Sequence, residues 1–300
     1  MATVNFLKVL KCLYVLLRTT TIPKKDWFLL SKSIFKTIIK YPDSVFFRNP
    51  SSSKTHFLTD FLLREIIVKS PSGLLFVARP KYEDLARFLF SEIVAKWEPI
   101  SKINIHEKNI ILDIGANVGF YSIKLSSLVG NSGKIISFEP DPHSFSTLKR
   151  NCELNKLKNV EIYNIAISEK EGILKLFSSE KHSGVTSLFN SNGQSNYFEV
   201  TTDSLDNILK NRFPKIDFIK IDTEGAELSI LKGAENTLKI TKKILIELHE
   251  EILKNNNQSP FEIEKILRDN GFKIKTFSEY WDPNESSNKL FKSDYLLGEK

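Results

Sequence analysis

The sequence predicts an α/β chain, a doubly wound open sheet of seven strands, preceded by an N-terminal helical and β-hairpin extension. Three observations carry this. From Ile110 onward, short apolar runs alternate with amphipathic stretches, the pattern of parallel βαβ units. The first of these runs empties into a turn of small residues at 115–119, and an acid, Glu139, closes the next run twenty residues later, as in doubly wound folds that bind a ligand at their strand tips. With 300 residues and 41% hydrophobic content, the chain can bury one core of roughly 200 residues and carry a smaller appendage.

The appendage comes first. Residues 6–17 are apolar except for Lys8 and Lys11, too short for the roughly 20 residues that span a bilayer. No basic residue precedes this run and no small-residue cleavage pattern follows it, so it makes a poor signal peptide. In residues 27–39, Trp27, Leu30, Ile34 and Ile38 recur at helical spacing, widened by Phe28, Phe35 and Ile39. Two readings stay open for residues 1–50: helices packing on the main domain or a second subunit, or lysine-flanked interfacial helices giving peripheral membrane contact through residues 4–40. Oligomeric state is left open. Residues 50–54 read as a loop, and 51–108 as a preface to the main domain. Within it, 64–69 and 74–79 flank Ser70, Pro71, Ser72 and Gly73 as a hairpin, and 82–97 has a helical period.

The main domain is assigned to residues 109–300. Its strands are expected at 110–114, 134–139, 160–165, 218–222, 243–249, 273–277 and 295–298, with a further strand at 197–201. Helices are expected at 118–128, 142–154, 205–210, 226–231 and 260–270, the last stopped by Gly271. His182, Ser183, Gly184 and the polar run 191–196 read as a solvated loop or a lid over the site.

The first strand ends in ILDIGANVGFYS, residues 111–122. Asp113 stands at its tip, and Gly115, Ala116, Asn117 and Gly119 form a turn whose small side chains let a ligand approach the backbone and the next helix start, at Phe120. Glu139, followed by Pro140 in FEPDP, is placed to hold ribose hydroxyls. A dinucleotide fingerprint would set a pyrophosphate on that helix. An anionic Asp113 repels pyrophosphate and suits a ligand with an ammonium and a sulfonium, which favours S-adenosyl-L-methionine over a nicotinamide.

With these residues, the NIAIS run at 164–168 and IDFIKIDTEGAELSILKGA at 216–234, the chain resembles the FkbM family of methyltransferases over roughly residues 113–271. The resemblance implies a class I methyltransferase sheet and methyl transfer from S-adenosylmethionine, usually to a hydroxyl of a sugar or polyketide-like small molecule. By position, it implies Asp113, Gly115, Asn117 and Gly119 at the methionine end, with Ala116 and Phe120 beside them. Glu139 and Pro140 fall at the ribose, and Asn164 with Ala166 near the adenine. Asn164 read on its own is equally a strand-end turn residue.

The fourth strand ends at Asp222, followed by Thr223, Glu224, Gly225, Ala226 and Glu227. A glycine after two acids permits a tight turn that projects carboxylates into the crevice. Asp222, Glu224 and His249 are therefore the catalytic candidates, and Asp222 is also counted among the cofactor-binding residues. They are also the candidate ligands of a divalent metal, an alternative to deprotonating a hydroxyl directly. Glu227 reads as complementing the dipole of the helix it opens, and Glu247 is expected on the strand face opposite His249.

Other classes are poorly supported. A net charge of +7 with 26% charged residues is too weak and too dispersed to predict nucleic acid as a partner. Neither cysteine, Cys12 or Cys152, falls at a strand tip, which excludes a cysteine nucleophile, and their number and spacing fit a reducing, cytoplasmic setting. The fourth strand lacks the Asn-Pro-Pro-aromatic motif of methyltransferases that act on amino groups of bases. The expected partner is a small hydroxylated acceptor, a carbohydrate or glycolipid. The alternative from another class is a non-catalytic adaptor that docks through its N-terminal helices.

Overall fold

The computed structural model describes residues 65–70, 72–79, 99–178, 186–187, 197–280 and 292–300. The expectations for residues 1–50, the helix at 82–97 and the loop segments 182–184 and 191–196 fall outside these. The chain divides into two compact units, Met1–Asn104 with Glu180–Ser183 and Tyr280–Lys292, and Ile105–Ser179 with Gly184–Glu279 and Ser293–Lys300. In the first, β1 (Ile66–Lys69) and β2 (Leu75–Ala78) form the expected antiparallel hairpin. Ser70 closes its turn: its Oγ accepts the Leu74 N–H at 3.0 Å while its own N–H donates to Leu74 O at 2.7 Å.

The second unit begins with β3 (Ile110–Ile114), α1 (Phe120–Val129), β4 (Lys134–Phe138), α2 (Pro142–Leu154) and β5 (Val160–Tyr163). A set of short strands follows: β6 (Ala166–Ile167), β7 (Gly172–Ser178), β8 (Thr186–Ser187) and β9 (Tyr197–Asp203). The chain then runs through α3 (Leu205–Ile208), β10 (Phe218–Ile221), α4 (Glu227–Lys232), α5 (Glu235–Lys239), β11 (Lys243–Leu248), α6 (Glu250–Asn255) and α7 (Pro260–Asp269). It ends in β12 (Lys273–Tyr280) and β13 (Lys292–Glu299).

All seven expected sheet strands join one sheet, in the order β12-β13-β11-β10-β3-β4-β5. The strands β11, β10, β3, β4 and β5 are parallel, and β13 runs antiparallel to β11. Both faces are covered, so the central strands are almost continuously apolar rather than alternating. Leu112, Ile114, Ile136, Phe138, Ile219, Ile221, Ile244 and Ile246 fill one face and share a core with Leu228, Ile230 and Leu231 of α4 and Ile263 and Leu267 of α7. The other face is apolar at its lower end, through Ile111, Ile135 and Phe218. Two residues further along three adjacent strands it becomes polar, where register sets Ser137 beside Asp113 and Asp113 beside Lys220.

Helix ends follow local chemistry. Asp141 caps α2 by accepting the N–H groups of His143 and Ser144, with Pro142 in the first turn, and Ser259 with Glu262 forms a capping box on α7. The structure departs from expectation at residues 160–165. That run breaks after Tyr163, and Ala166–Ile167 joins a second sheet of order β6-β9-β7-β8 around Ala166, Leu176 and Val200. Asn164 causes the break, its side-chain amide donating back to the carbonyls of Glu139 and Pro140 at 2.9 and 3.0 Å. The helix expected at 205–210 spans four residues, and β7, α5 and α6 were not expected at all. Among the described residues, no helix is long and apolar enough to cross a membrane.

Candidate active site

The turn after β3 is tied to both neighbouring strands. Gly115 and Ala116 N–H both donate to Phe138 O at 3.0 Å, and Asp222 N–H donates to Ile114 O at 3.1 Å. Gly115 has φ +78, and a Cβ there would lie 1.8 Å from the Asp222 carbonyl oxygen. Its small size is therefore required by the approach of the β10 tip, a reason the sequence did not show. Gly119, at φ +88, leaves room for Leu148 of α2 in the same way. Asn117 takes a left-handed φ of +50, which asparagine tolerates, and donates its N–H to Glu139 Oε2 at 2.7 Å. Ala116 is buried, Phe120 is half-buried at the first position of α1, and Pro140 is half-buried beyond β4.

Glu139 accepts a second backbone hydrogen bond, from Asp141 N–H at 2.8 Å, and is only 5% exposed. Burial pushes its carboxyl up to about 8, against the pull of those two N–H groups. Each carboxylate oxygen retains acceptor capacity beyond its one backbone N–H, so it could also accept the hydroxyls of a ribose, and the residue fits S-adenosylmethionine. Asn164 is exposed and holds the Glu139–Pro140 backbone in place, whereas the side chain of Ala166 is buried in the small sheet.

Across the strand tips runs a continuous polar chain. Ser137 Oγ lies 2.9 Å from Ser122 Oγ, which donates to Asp113 Oδ2 at 2.6 Å. Asp113 is fully buried, and its other oxygen faces Lys220 Nζ at 3.7 Å. Lys220 is itself buried, donates to Asp222 Oδ2 at 3.2 Å and lies over the Tyr121 ring at 5.0 Å. Burial alone would lower its pKa, but Asp222 and Asp113 outweigh it and hold the ammonium charged.

Beyond Asp222 the turn brings two more carboxylates, Glu224 and Glu227, to the imidazole that Asp222 also faces. Glu224 adopts a left-handed φ of +52, and its Oε2 stands 3.4 Å from His249 Nε2. Asp222 Oδ1 is 4.0 Å from the same nitrogen. His249 itself lies just past β11, at the cap position of α6. Its Nδ1 is 2.9 Å from Glu227 Oε1, which also accepts the Gly225 N–H at 3.0 Å. Burial would lower the imidazole's pKa, but the Glu227 hydrogen bond and the charges of Glu224, Glu227 and Asp222 push it up to about 10.

Two expectations need correction. Glu227 does open α4, yet it is fully buried and holds His249, so its work is not confined to a surface dipole. Glu247 does not face away from the site: it lies two residues beyond Leu245, the strand partner of Lys220, and so shares the face of Lys220. Its charge acts on both Lys220 and Tyr121, and Tyr295 Oη lies 3.4 Å from it. Sequence reasoning also missed Lys220, whose signal was a lysine inside the apolar strand FIKI, and Ser137 in IISF.

Parallel strands in the order β5-β4-β3-β10-β11, with antiparallel β13 beside β11 and a ligand turn at the β3 tip, define a class I, S-adenosylmethionine-dependent methyltransferase. Residues 113–274 match the model of the Methyltransferase FkbM domain, over half of the chain, and the chain belongs to that family. Methyltransferase sdnD of Sordaria araneosa is 27% identical over 234 residues, covering 67% of this chain and 88% of that protein. Hexuronic acid methyltransferase AglP of Haloferax volcanii is 25% identical over 175 residues, covering 56% of this chain and 70% of the other. The crystal structure of methyltransferase FkbM from Methylobacillus flagellatus KT aligns with a TM-score of 0.44 and 15% identity, covering 72% of this chain and 54% of that one. This chain thus matches about half of that protein's length.

Proposed function

We propose that this methyltransferase is an O-methyltransferase that acts on a hydroxyl of a small polar acceptor, with carbohydrates and glycolipids as the acceptor class. One observation carries the reading: the ligating atoms of Asp222, Glu224 and His249 lie within 4.8 Å of one another, and the turn that carries Asp222 and Glu224 packs against Gly115 of the donor loop through the Asp222 carbonyl. A hydroxyl is the acceptor such a group serves best, since it needs help losing its proton and a carboxylate-rich edge supplies it. A relative named for hexuronic acid supports the carbohydrate class. The completeness of the polar chain from Ser137 to His249 counts against a non-catalytic adaptor.

Bound S-adenosylmethionine supplies an electrophilic methyl group for in-line displacement, with positioning providing much of the acceleration. Glu139 holds the ribose, and the turn at Gly115, Ala116, Asn117 and Gly119, with Asp113 behind it, shapes the methionine end. Both ring nitrogens of His249 face carboxylates. A free imidazole base is thereby disfavoured, and the acceptor proton falls to Asp222 or Glu224, or to the action of a divalent cation held by the trio. The proposed setting is the cytoplasm, supported by the sparse cysteines, and the lysine-flanked apolar runs within residues 4–40 serve either packing on the main domain or a second subunit, or peripheral membrane contact.

Comparing the glycans and lipids of cells with and without this protein by mass spectrometry should show the loss of one methyl group. Asp222→Ala and His249→Ala should keep most S-adenosylhomocysteine affinity and lose turnover by about 10²–10⁴-fold, the usual contribution of proton transfer. Full turnover in both variants would place the acceptor edge elsewhere.

A further inference from the structure

We infer that Asp222, Glu224 and His249 form a binding site for one first-row divalent metal ion, and that the buried Glu227 is the residue that aims the histidine at it. The metal site deepens the acceptor-edge reading and rests on it only for the role of the ion in methyl transfer.

The geometry is that of a histidine ligand with its supporting carboxylate. Metal-bound histidines almost always give their second ring N–H to a carboxylate or carbonyl, which fixes the tautomer and the ring orientation. Here Glu227, fully buried, takes His249 Nδ1 at 2.9 Å and leaves Nε2 directed at Asp222 and Glu224. Burying that carboxylate is costly, because its Oε2 is enclosed without a hydrogen-bond partner, and a surface ion pair would not require it.

Spacing and charge agree. Metal–ligand bonds of about 2.0–2.2 Å set neighbouring ligand atoms about 3.0–3.4 Å apart. The distance from Nε2 to Glu224 Oε2 is 3.4 Å, and the 4.0 Å to Asp222 Oδ1 lies just outside that span. Lys220 donates to Asp222 Oδ2, and it is Oδ1 that faces His249 Nε2. Three carboxylates surround one imidazole, a donor set of the kind that holds a divalent cation. The side chains of Asp222 and Glu224 are 29% and 31% exposed, so the ion has a path in and open positions for an acceptor oxygen. An imidazole among the ligands selects manganese, iron, cobalt or zinc over magnesium or calcium, which prefer oxygen alone.

Full-length protein freed of metal by chelation should bind Mn²⁺ at one ion per chain, read from the loss of the free-ion electron paramagnetic resonance signal. His249→Ala should abolish stoichiometric binding. Glu227→Gln should weaken it about 10–100-fold, the usual effect of losing a supporting partner, with S-adenosylhomocysteine affinity unchanged. If Glu227→Gln does not fold, the partly exposed Glu224→Gln takes its place and should also weaken binding. No stoichiometric Mn²⁺ uptake by the wild type, or equal affinity in the wild type and His249→Ala, would overturn the metal site. Calorimetry with S-adenosylhomocysteine on the same samples separates the two readings: donor binding without metal uptake sinks only the metal site, and metal uptake without donor binding sinks the methyltransferase reading instead.

Discussion

Replacing Gly115 by alanine tests whether that glycine serves the joint between β3 and β10 rather than a ligand. Two costs combine in the ligand-free protein. A non-glycine residue at φ +78 loses about 1–2 kcal/mol to its left-handed conformation. The added Cβ would then stand 1.8 Å from the Asp222 carbonyl oxygen, so the strand tips must separate, straining the Asp222 N–H to Ile114 O hydrogen bond of 3.1 Å. Overpacking of that kind costs about 1–3 kcal/mol. The sum, about 2–5 kcal/mol, is a large part of the 5–15 kcal/mol that holds a typical domain together. Gly271→Ala is the control, because Gly271 has φ +84 and nothing within 4 Å of a built Cβ. Urea denaturation of both variants without ligand should show Gly115→Ala losing about 1–3 kcal/mol more than Gly271→Ala. Equal losses, or wild-type stability of Gly115→Ala with only donor affinity reduced, would refute the packing explanation and return the glycine to the ligand.

Glu139 gives a pH dependence. Its folded pKa is raised from 4.5 to about 8, so the folded state binds the extra proton between those values. The associated stability is fully present below 4.5 and is lost as pH rises through about 8. Ribose hydroxyls favour the carboxylate, so donor binding should release a proton and tighten as pH climbs from 6 towards 8. Calorimetry in buffers of different ionisation enthalpy measures that proton, and a flat affinity with no proton release would remove Glu139 from the ribose site. Lys220→Met should destabilise the fold by about 3–5 kcal/mol, since it strands the fully buried Asp113 without its cation. Adding Asp113→Asn should recover part of that loss, and strictly additive effects in denaturant titrations would show that the two do not interact.

The central strands β3, β4 and β10 were legible because each is an apolar run bounded by turn residues, and burial on both faces makes that pattern strong, whereas β5 and β12 are short or alternating strands at the sheet's edges. The candidate trio was legible for a related reason: Asp222 and His249 stand at the tips of neighbouring strands. What the sequence hid depends on register and packing. A lysine inside FIKI is visible, but that its strand partner is Asp113, more than a hundred positions away, follows only once β10 lies beside β3. Glu227 carries the ordinary signature of a helix-opening acid, and only the place where β11 gives way to α6 turns it towards His249. The strand β7 was missed although Leu174 and Leu176 alternate with Ile173 and Lys175. Alternation over so few residues, in a small sheet with a minor core, competes poorly with a loop reading.

The same network bears on the repulsion of a pyrophosphate expected from the sequence. In sequence, Asp113 alone stood for that repulsion, yet it is wholly buried and faces Lys220 at 3.7 Å. One neutralised carboxylate cannot exclude an anion. Around the same strand tips lie Asp222, Glu224, Glu227 and Glu247, with Lys220 and His249 among their cationic partners. Lys220 offers an anion no purchase, because its ammonium is buried between two carboxylates and a tyrosine ring. Its place there holds Asp222 by one oxygen and leaves the other towards His249, so the buried cation organises an acidic edge, and that edge suits a sulfonium donor and a divalent ion for one electrostatic reason.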